Sequence, residues 1–275
     1  VTAFIGYQGL EWLSRVAVPA MIILVAVSMS IATSDAGGLS GLLAITPTNE
    51  MTVAAAITLV FGTFVSGGTQ ATNWTRFAKS GKTAVIATLL AFFLGNGLMT
   101  LIGAFGALVY QQADIVDIMV AQGLATLGIL MLFLNLWTTQ DNTVYNFAVA
   151  GCNLIRTRRR KSVTIAGAAI GTVLAVLGMY EWLIPFLVLL GTFIPPIGGV
   201  IMASYFVGYK RKYPDLTKVT LPAFNVPGLA AYAIGSAAAY TSPWIAPIVG
   251  VLVAALSYSL ILVVSEAVRE RKAQV

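Results

Sequence analysis

The segment Leu134-Asn-Leu-Trp-Thr-Thr-Gln-Asp-Asn-Thr-Val-Tyr-Asn146 concentrates amide, hydroxyl and carboxylate groups within an otherwise apolar stretch. On a helix turning about 100° per residue, Asn135, Thr138, Thr139, Asn142 and Asn146 share one stripe, while Gln140 and Asp141 point elsewhere. The segment therefore has no side suited to hydrocarbon. The adjacent hydroxyls of Thr138 and Thr139, with the Asn135 carbonyl one turn earlier, are oxygen donors of the kind a hard cation such as sodium prefers. Threonine hydroxyls also bond back to their own helix, so a purely structural role stands beside the cation reading. Asp141 has two readings as well. An acid inside an apolar span marks an ion or substrate path, or it accepts hydrogen bonds from a neighbouring helix.

A second place is Ser66-Gly67-Gly68, which follows the apolar run ending at Phe64-Val65 and precedes Thr69, Gln70, Thr72, Asn73 and Thr75. Glycine costs about 1 kcal/mol relative to alanine inside a helix, so an unwinding point is expected at 66–68. Unwound backbone at membrane depth is tolerated only beside protein or a water-lined cavity, where its carbonyls and N–H groups can meet ligands. The competing reading is a small-residue seam for close helix packing. Phe64 offers a flat ring to a planar ligand, or simply packs. The third place is Pro195-Pro196-Ile197-Gly198-Gly199, where two prolines and two glycines demand a kink or break. A gate and a rigid packing kink are both consistent with it.

These groups must be positioned by helices in lipid. The chain is 58% hydrophobic and 9% charged, too apolar to hide in a soluble globule of this length. An all-α integral membrane protein is expected, with about eight spans near 10–33, 52–79 (broken at 66–68), 83–110, 122–150, 163–180, 182–208, 226–240 and 244–266. They form a single transmembrane domain over 1–275. None of the apolar runs has the layout of a signal peptide. The chain starts at Val1 rather than methionine, and a piece of a longer protein is expected.

Histidine is absent and Cys152 is the single cysteine. No His-metal site, His base or intrachain disulfide is available, which moves the reading from enzyme towards carrier or channel. Basic residues cluster at Arg15, at Arg76–Lys82, at Arg156–Lys161, at Lys210–Lys218 and at Arg269–Lys272. With eight spans every cluster falls on one side, and the opposite loops carry acids but no Lys or Arg. By the positive-inside rule, the basic loops and the C-terminus are cytoplasmic. The Arg156–Lys161 run is read as a topology determinant rather than a nucleic-acid patch, so no nucleic-acid partner is expected.

The stretches "GTFVSGGTQATNWTRFAK", "AFFLGNGLM", "ADIVDIMVAQGL", "LNLWTTQDNTVY" and "IPPIGGVIMASYF" resemble the nucleobase–cation symporter family, in order and along nearly the whole chain. The family carries cytosine, purines, uracil, allantoin and hydroxymethylpyrimidine. The resemblance implies a leucine-transporter-like inverted-repeat fold of twelve helices, of which this chain would supply helices 5–12. It implies that Phe64 stacks on the base, that Ser66 and Gly67 contact its polar edge, and that Gln140 hydrogen-bonds it. Asn135, Thr138 and Thr139 match the family's sodium ligands, and Asn135 also lines the base site. Gln140 stands where cytosine-carrying members have an asparagine, and the extra methylene of about 1.5 Å moves the amide.

The expected function is thus a secondary active importer of a nucleobase, cytosine in first place, coupled to sodium by alternating access. Proton coupling through Asp141, and another pyrimidine or purine as cargo, stand as alternatives. No cofactor is expected beyond sodium as coupling ion. The expected partners are the base and membrane lipid, and the carrier is expected to be monomeric in a bacterial inner membrane. A channel and an intramembrane enzyme are the rivals from other classes. The enzyme lacks a base beside any nucleophile.

Overall fold

The computed structural model describes residues 7–46, 51–112, 114–215, 218–219 and 224–273, and every element among them is helical. Helix α1 (Tyr7–Asp35) keeps Pro19 inside it, and α2 (Gly38–Ala44) is entered through Gly37 and Gly38, both at positive φ. Helix α3 (Val53–Thr69) starts where Thr52 accepts a hydrogen bond from the Ala55 N–H at 3.2 Å. The one-turn α4 (Thr72–Thr75) comes next. Helix α5 (Gly81–Leu90), capped by Ser80, runs through a π turn (Ala91–Asn96) into α6 (Gly97–Tyr110). Helix α7 (Ile115–Ala121) is capped by Asp114, which accepts from the Val116 N–H at 2.7 Å. Then come α8 (Ala125–Leu154) and α9 (Arg160–Val176). A 3₁₀ turn (Met179–Trp182) leads into α10 (Leu183–Phe193), α11 (Pro195–Ala203) and a second π turn (Ser204–Gly208). Helix α12 (Val226–Thr241), capped by Asn225, and α13 (Ala246–Ala273) close the chain.

Each span expected from the sequence falls on a helix or an adjoining pair. Among the described residues, five stretches are long and apolar enough to cross a membrane: Ser14–Asp35, Val53–Thr75, Gly81–Tyr110, Leu183–Gly208 and Ala246–Ser265. Helix α8 is long, at 30 residues, but its second half is polar. Helices α9 and α12 have 17 and 16 residues, below the roughly 20 that span hydrocarbon untilted. Large apolar side chains are exposed throughout, with Leu154 at 86% and Val176 at 82%. An apolar surface of this extent is compatible with lipid and not with water.

The chain divides into two compact units, one formed by Val1–Glu50 with Thr75–Met179 and the other by Met51–Trp74 with Tyr180–Val275. In the first, α8 packs on α1, α7 and α9. Val25, Ile102, Met119 and Met131 form its buried centre, with Met21, Leu24, Met29, Ile115 and Leu124 around them. Gln122 ties three helix ends together. Its Nε2 donates to the Ser28 carbonyl at 2.9 Å and to Tyr110 Oη at 3.2 Å, while Tyr110 donates to Asp35 Oδ2 at 2.5 Å.

In the second unit, α3 packs on α10, and α13 packs on α11 and α12. The α3–α10 pair is held by glycine. A Cβ on Gly62 would overlap the Leu187 carbonyl oxygen, and one on Gly191 would overlap that of Thr58. Lipid gives no hydrophobic push between helices, so this close backbone approach supplies the attraction.

One expectation changes here. Helix α3 does not unwind at Ser66-Gly67-Gly68: it continues to Thr69, and the interruption falls at Gln70–Ala71. The Ser66 carbonyl accepts from Gln70 N at 3.1 Å and from Thr69 Oγ1 at 2.8 Å, so the last turn is closed by bonds that glycine's propensity did not register. Around Pro195, the expected break is present between α10 and α11, with Pro195 and Pro196 in the first turn of α11, where their missing N–H groups cost nothing. Pro195, Pro196 and Gly199 are buried, and a Cβ at Gly199 would overlap the Val251 carbonyl oxygen, whereas Gly198 meets open space. Gly199 therefore packs closely on α13, as does Pro196, which stands against Gly250.

Candidate functional site

The residues singled out from the sequence lie on α3 and α8, one helix in each unit. On α3, Phe64 is 44% exposed and its ring lies against Gly67, where a Cβ would sit 2.5 Å from Phe64 Cε1. Helical i, i+3 spacing brings the two together. The absence of a side chain at 67 is what lets the ring lie this close to the helix. Gly67 is buried beneath it. Ser66 is half-buried, with its carbonyl engaged in the helix end.

Four residues on, the α3–α4 turn carries polar groups into the chain's change of direction. Asn73 N donates to the Gln70 carbonyl at 2.8 Å and Trp74 N to the Ala71 carbonyl at 3.2 Å. The Trp74 indole Nε1 is buried with no acceptor among the described residues. Sequence reading missed Trp74. Its apolar body hid a donor that only burial makes conspicuous.

On α8, the Thr138 hydroxyl donates back to the Leu134 carbonyl at 3.0 Å and to the Asn135 carbonyl at 3.1 Å. The back-bonding alternative is therefore what the helix adopts. It does not consume the acceptor side of either oxygen. A hydroxyl that has given its proton to the backbone keeps lone pairs, and two oxygens 3.1 Å apart fit on one hard cation at about 2.3–2.6 Å from each. Thr139 and Gln140 are exposed on this unit and open to a partner. Asn142 donates to the Thr138 carbonyl at 3.2 Å, and Thr143 to the Thr139 carbonyl at 2.9 Å. The first bond orients the polar stripe, and both knit the helix together.

Asp141 points away from that stripe, as its angular position predicts. It is 8% exposed, and its Oδ2 has no hydrogen-bond partner among the described residues. A buried carboxylate oxygen without a donor is costly, which sets Asp141 apart from the rest of α8. One turn further, Tyr145 is 3% exposed. Arg76 Nη2 donates to its hydroxyl at 3.0 Å, and the Arg160 guanidinium stands 5.8 Å from its ring centroid. This convergence joins residues 69 apart in the chain and left no local signal.

Chemically, α8 offers neutral oxygens and an exposed amide, and α3 offers an aromatic face beside a helix end.

Comparison with known proteins adds the following. Residues 1–261 match the family model described as permease for cytosine/purines, uracil, thiamine, allantoin. The chain is similar to the cytosine permeases of Escherichia coli O157:H7 and Escherichia coli strain K12, at 39% identity over 261 residues in each case. The match covers 95% of this chain and 62% of each relative, so the chain spans less than two thirds of the length of these curated proteins. With a membrane-compatible all-α architecture and a match along nearly its entire length, the chain belongs to the family of permeases for cytosine/purines, uracil, thiamine and allantoin.

Proposed function

We propose that this chain is part of a secondary active transporter that imports a nucleobase, cytosine in first place, coupled to an inward sodium gradient by alternating access. It is a carrier rather than an enzyme or a channel. The observation that carries the reading is the 39% identity to cytosine permeases across 95% of the chain, which includes every polar segment considered above. The leucine-transporter-like arrangement, with this chain contributing helices 5–12 as a monomeric carrier in a bacterial inner membrane, is part of the same proposal.

In this reading, Phe64 supplies a stacking face worth about 0.5–1.5 kcal/mol beyond its buried area. Ser66 and Gly67 border it, and Gln140 offers the donor and acceptor that a pyrimidine or purine edge requires. Asn135, through its carbonyl, and the hydroxyls of Thr138 and Thr139 hold sodium. The close Asn135–Thr138 oxygen pair supports this assignment. Sodium bound to α8 pre-organises the base site, so the two ligands bind cooperatively and each raises the other's affinity by the same factor.

The deciding experiment is uptake of labelled cytosine into proteoliposomes made with the full protein. Uptake is expected to need an inward sodium gradient and to be competed by unlabelled cytosine. Uptake that is unchanged when potassium replaces sodium would overturn the coupling. Stronger competition by another pyrimidine or a purine would reassign the substrate and would point to Gln140 as the cause.

A further inference from the structure

The first unit carries a basic face that nucleobase transport does not use. Arg76, Lys79 and Lys82 follow α4, and Arg156, Arg158, Arg159, Arg160 and Lys161 join α8 to α9. The two runs are distant in sequence, yet Arg76 and Arg160 both lean on the buried Tyr145, one through its hydroxyl and the other over its ring. No Asp or Glu occurs between residues 51 and 113 or between 142 and 180. The positive charge is therefore gathered within a stretch that supplies no acid of its own. Arg76 also stands 4.8 Å over the exposed Phe77 ring.

Apolar side chains flank these cations. Leu154 and Ile155, immediately before Arg156, are 86% and 63% exposed, and Phe77 is 45% exposed. A free inorganic anion has no use for them. An anionic phospholipid does, because its phosphate meets guanidinium groups while its acyl chains lie on the adjoining apolar surface. The surface of a multi-pass membrane protein always has such molecules at hand.

We propose that this face is a binding site for the phosphate headgroup of an anionic phospholipid, with Arg76 and Arg160 held on Tyr145 as its fixed centre. Tyr145 pins both side chains, so less rotamer freedom is lost when the headgroup arrives. Arg158 and Arg159, exposed on the loop, add charge at the rim. The proposal depends on the membrane character of the chain and not on which base or ion is carried.

The test uses the full chain purified in dodecyl maltoside, with phosphatidylglycerol, phosphatidylcholine or inorganic phosphate added at equal phosphate. Lipid retention is read by native mass spectrometry and melting temperature by thermal shift. Phosphatidylglycerol is expected to be retained and to raise the melting temperature, and the other two are expected to do neither. Arg76→Gln with Arg160→Gln, and separately Arg158→Gln with Arg159→Gln, should each weaken retention by about fivefold per charge removed. Lys210→Gln with Lys212→Gln, in the second unit, should leave it unchanged. The loop variant touches exposed side chains only and decides the matter if the Arg76/Arg160 variant fails to fold. Retention unaltered in the loop variant, or equal retention of phosphatidylcholine, would overturn the proposal. Stabilisation by inorganic phosphate to the same extent would reduce the face to a free-anion site and overturn it too.

Discussion

The Phe64 ring rests on the backbone of Gly67, one turn along the same helix, and it can do so because position 67 has no Cβ. The pair is a single device: the glycine sets the tilt of the ring. Gly67→Ala would push a methyl to 2.5 Å from Phe64 Cε1 and swing the ring away. Phe64→Ala and Gly67→Ala are each expected to weaken base binding by about 1 kcal/mol. The double variant should be no worse than Phe64→Ala alone, since coupled residues are non-additive. Isothermal titration of the base onto the full protein measures all three. Additive losses would separate the glycine from the ring.

The back-bonded hydroxyl of Thr138 gives a second prediction. Thr138→Val keeps the shape and removes the oxygen, so the apparent sodium affinity should fall at least tenfold, about 1.4 kcal/mol. Thr138→Ser should retain it. Sodium titration of base uptake or of intrinsic fluorescence distinguishes the two. Equal sodium response in Val and Ser variants would remove Thr138 from the cation site.

Glycine contacts in the second unit predict stability. Gly191 faces the Thr58 carbonyl oxygen with no room for a methyl, whereas Gly171, within α9, has nothing within 4 Å. Gly191→Ala should destabilise by about 1–3 kcal/mol through overpacking. Gly171→Ala should be neutral or stabilise by about 0.5–1 kcal/mol through helix propensity. Thermal unfolding in detergent ranks the variants.

Orientation is tested through Thr157, which lies within the basic α8–α9 loop. In a Cys152→Ser background, Thr157→Cys should react with a membrane-impermeant maleimide only after the cells are permeabilised, as positive-inside placement requires. Labelling of intact cells at the same rate would invert the topology.

Much of this was legible in the sequence, for reasons that differ from place to place. Helices were, because apolar runs carry their length in the local residues, while the caps at Ser80, Asp114 and Asn225 came with the structure. The stripe on α8 was, because spacing alone fixes angle on a helix. The break in α3 was placed one turn early. Glycine propensity of about 1 kcal/mol reports a weakness, while the bonds that Thr69 and Gln70 make to the Ser66 carbonyl decide where the helix ends. At Pro195–Gly199 the close approach of Gly199 to Val251 left no local signal, because Val251 comes from a distant helix. Tyr145 was invisible because its importance comes from Arg76 and Arg160, which the fold brings to it.

Gln122 has a mechanical consequence. Because a single side-chain nitrogen holds both the Ser28 carbonyl and the Tyr110 hydroxyl, the body of α1, the end of α6 and the end of α7 meet at one atom. The short helix α7 has Ile118 and Met119 fully sunk beneath it. Here one amide nitrogen and two buried side chains moor it, so α1, α6 and α7 are fastened to one another at a single point.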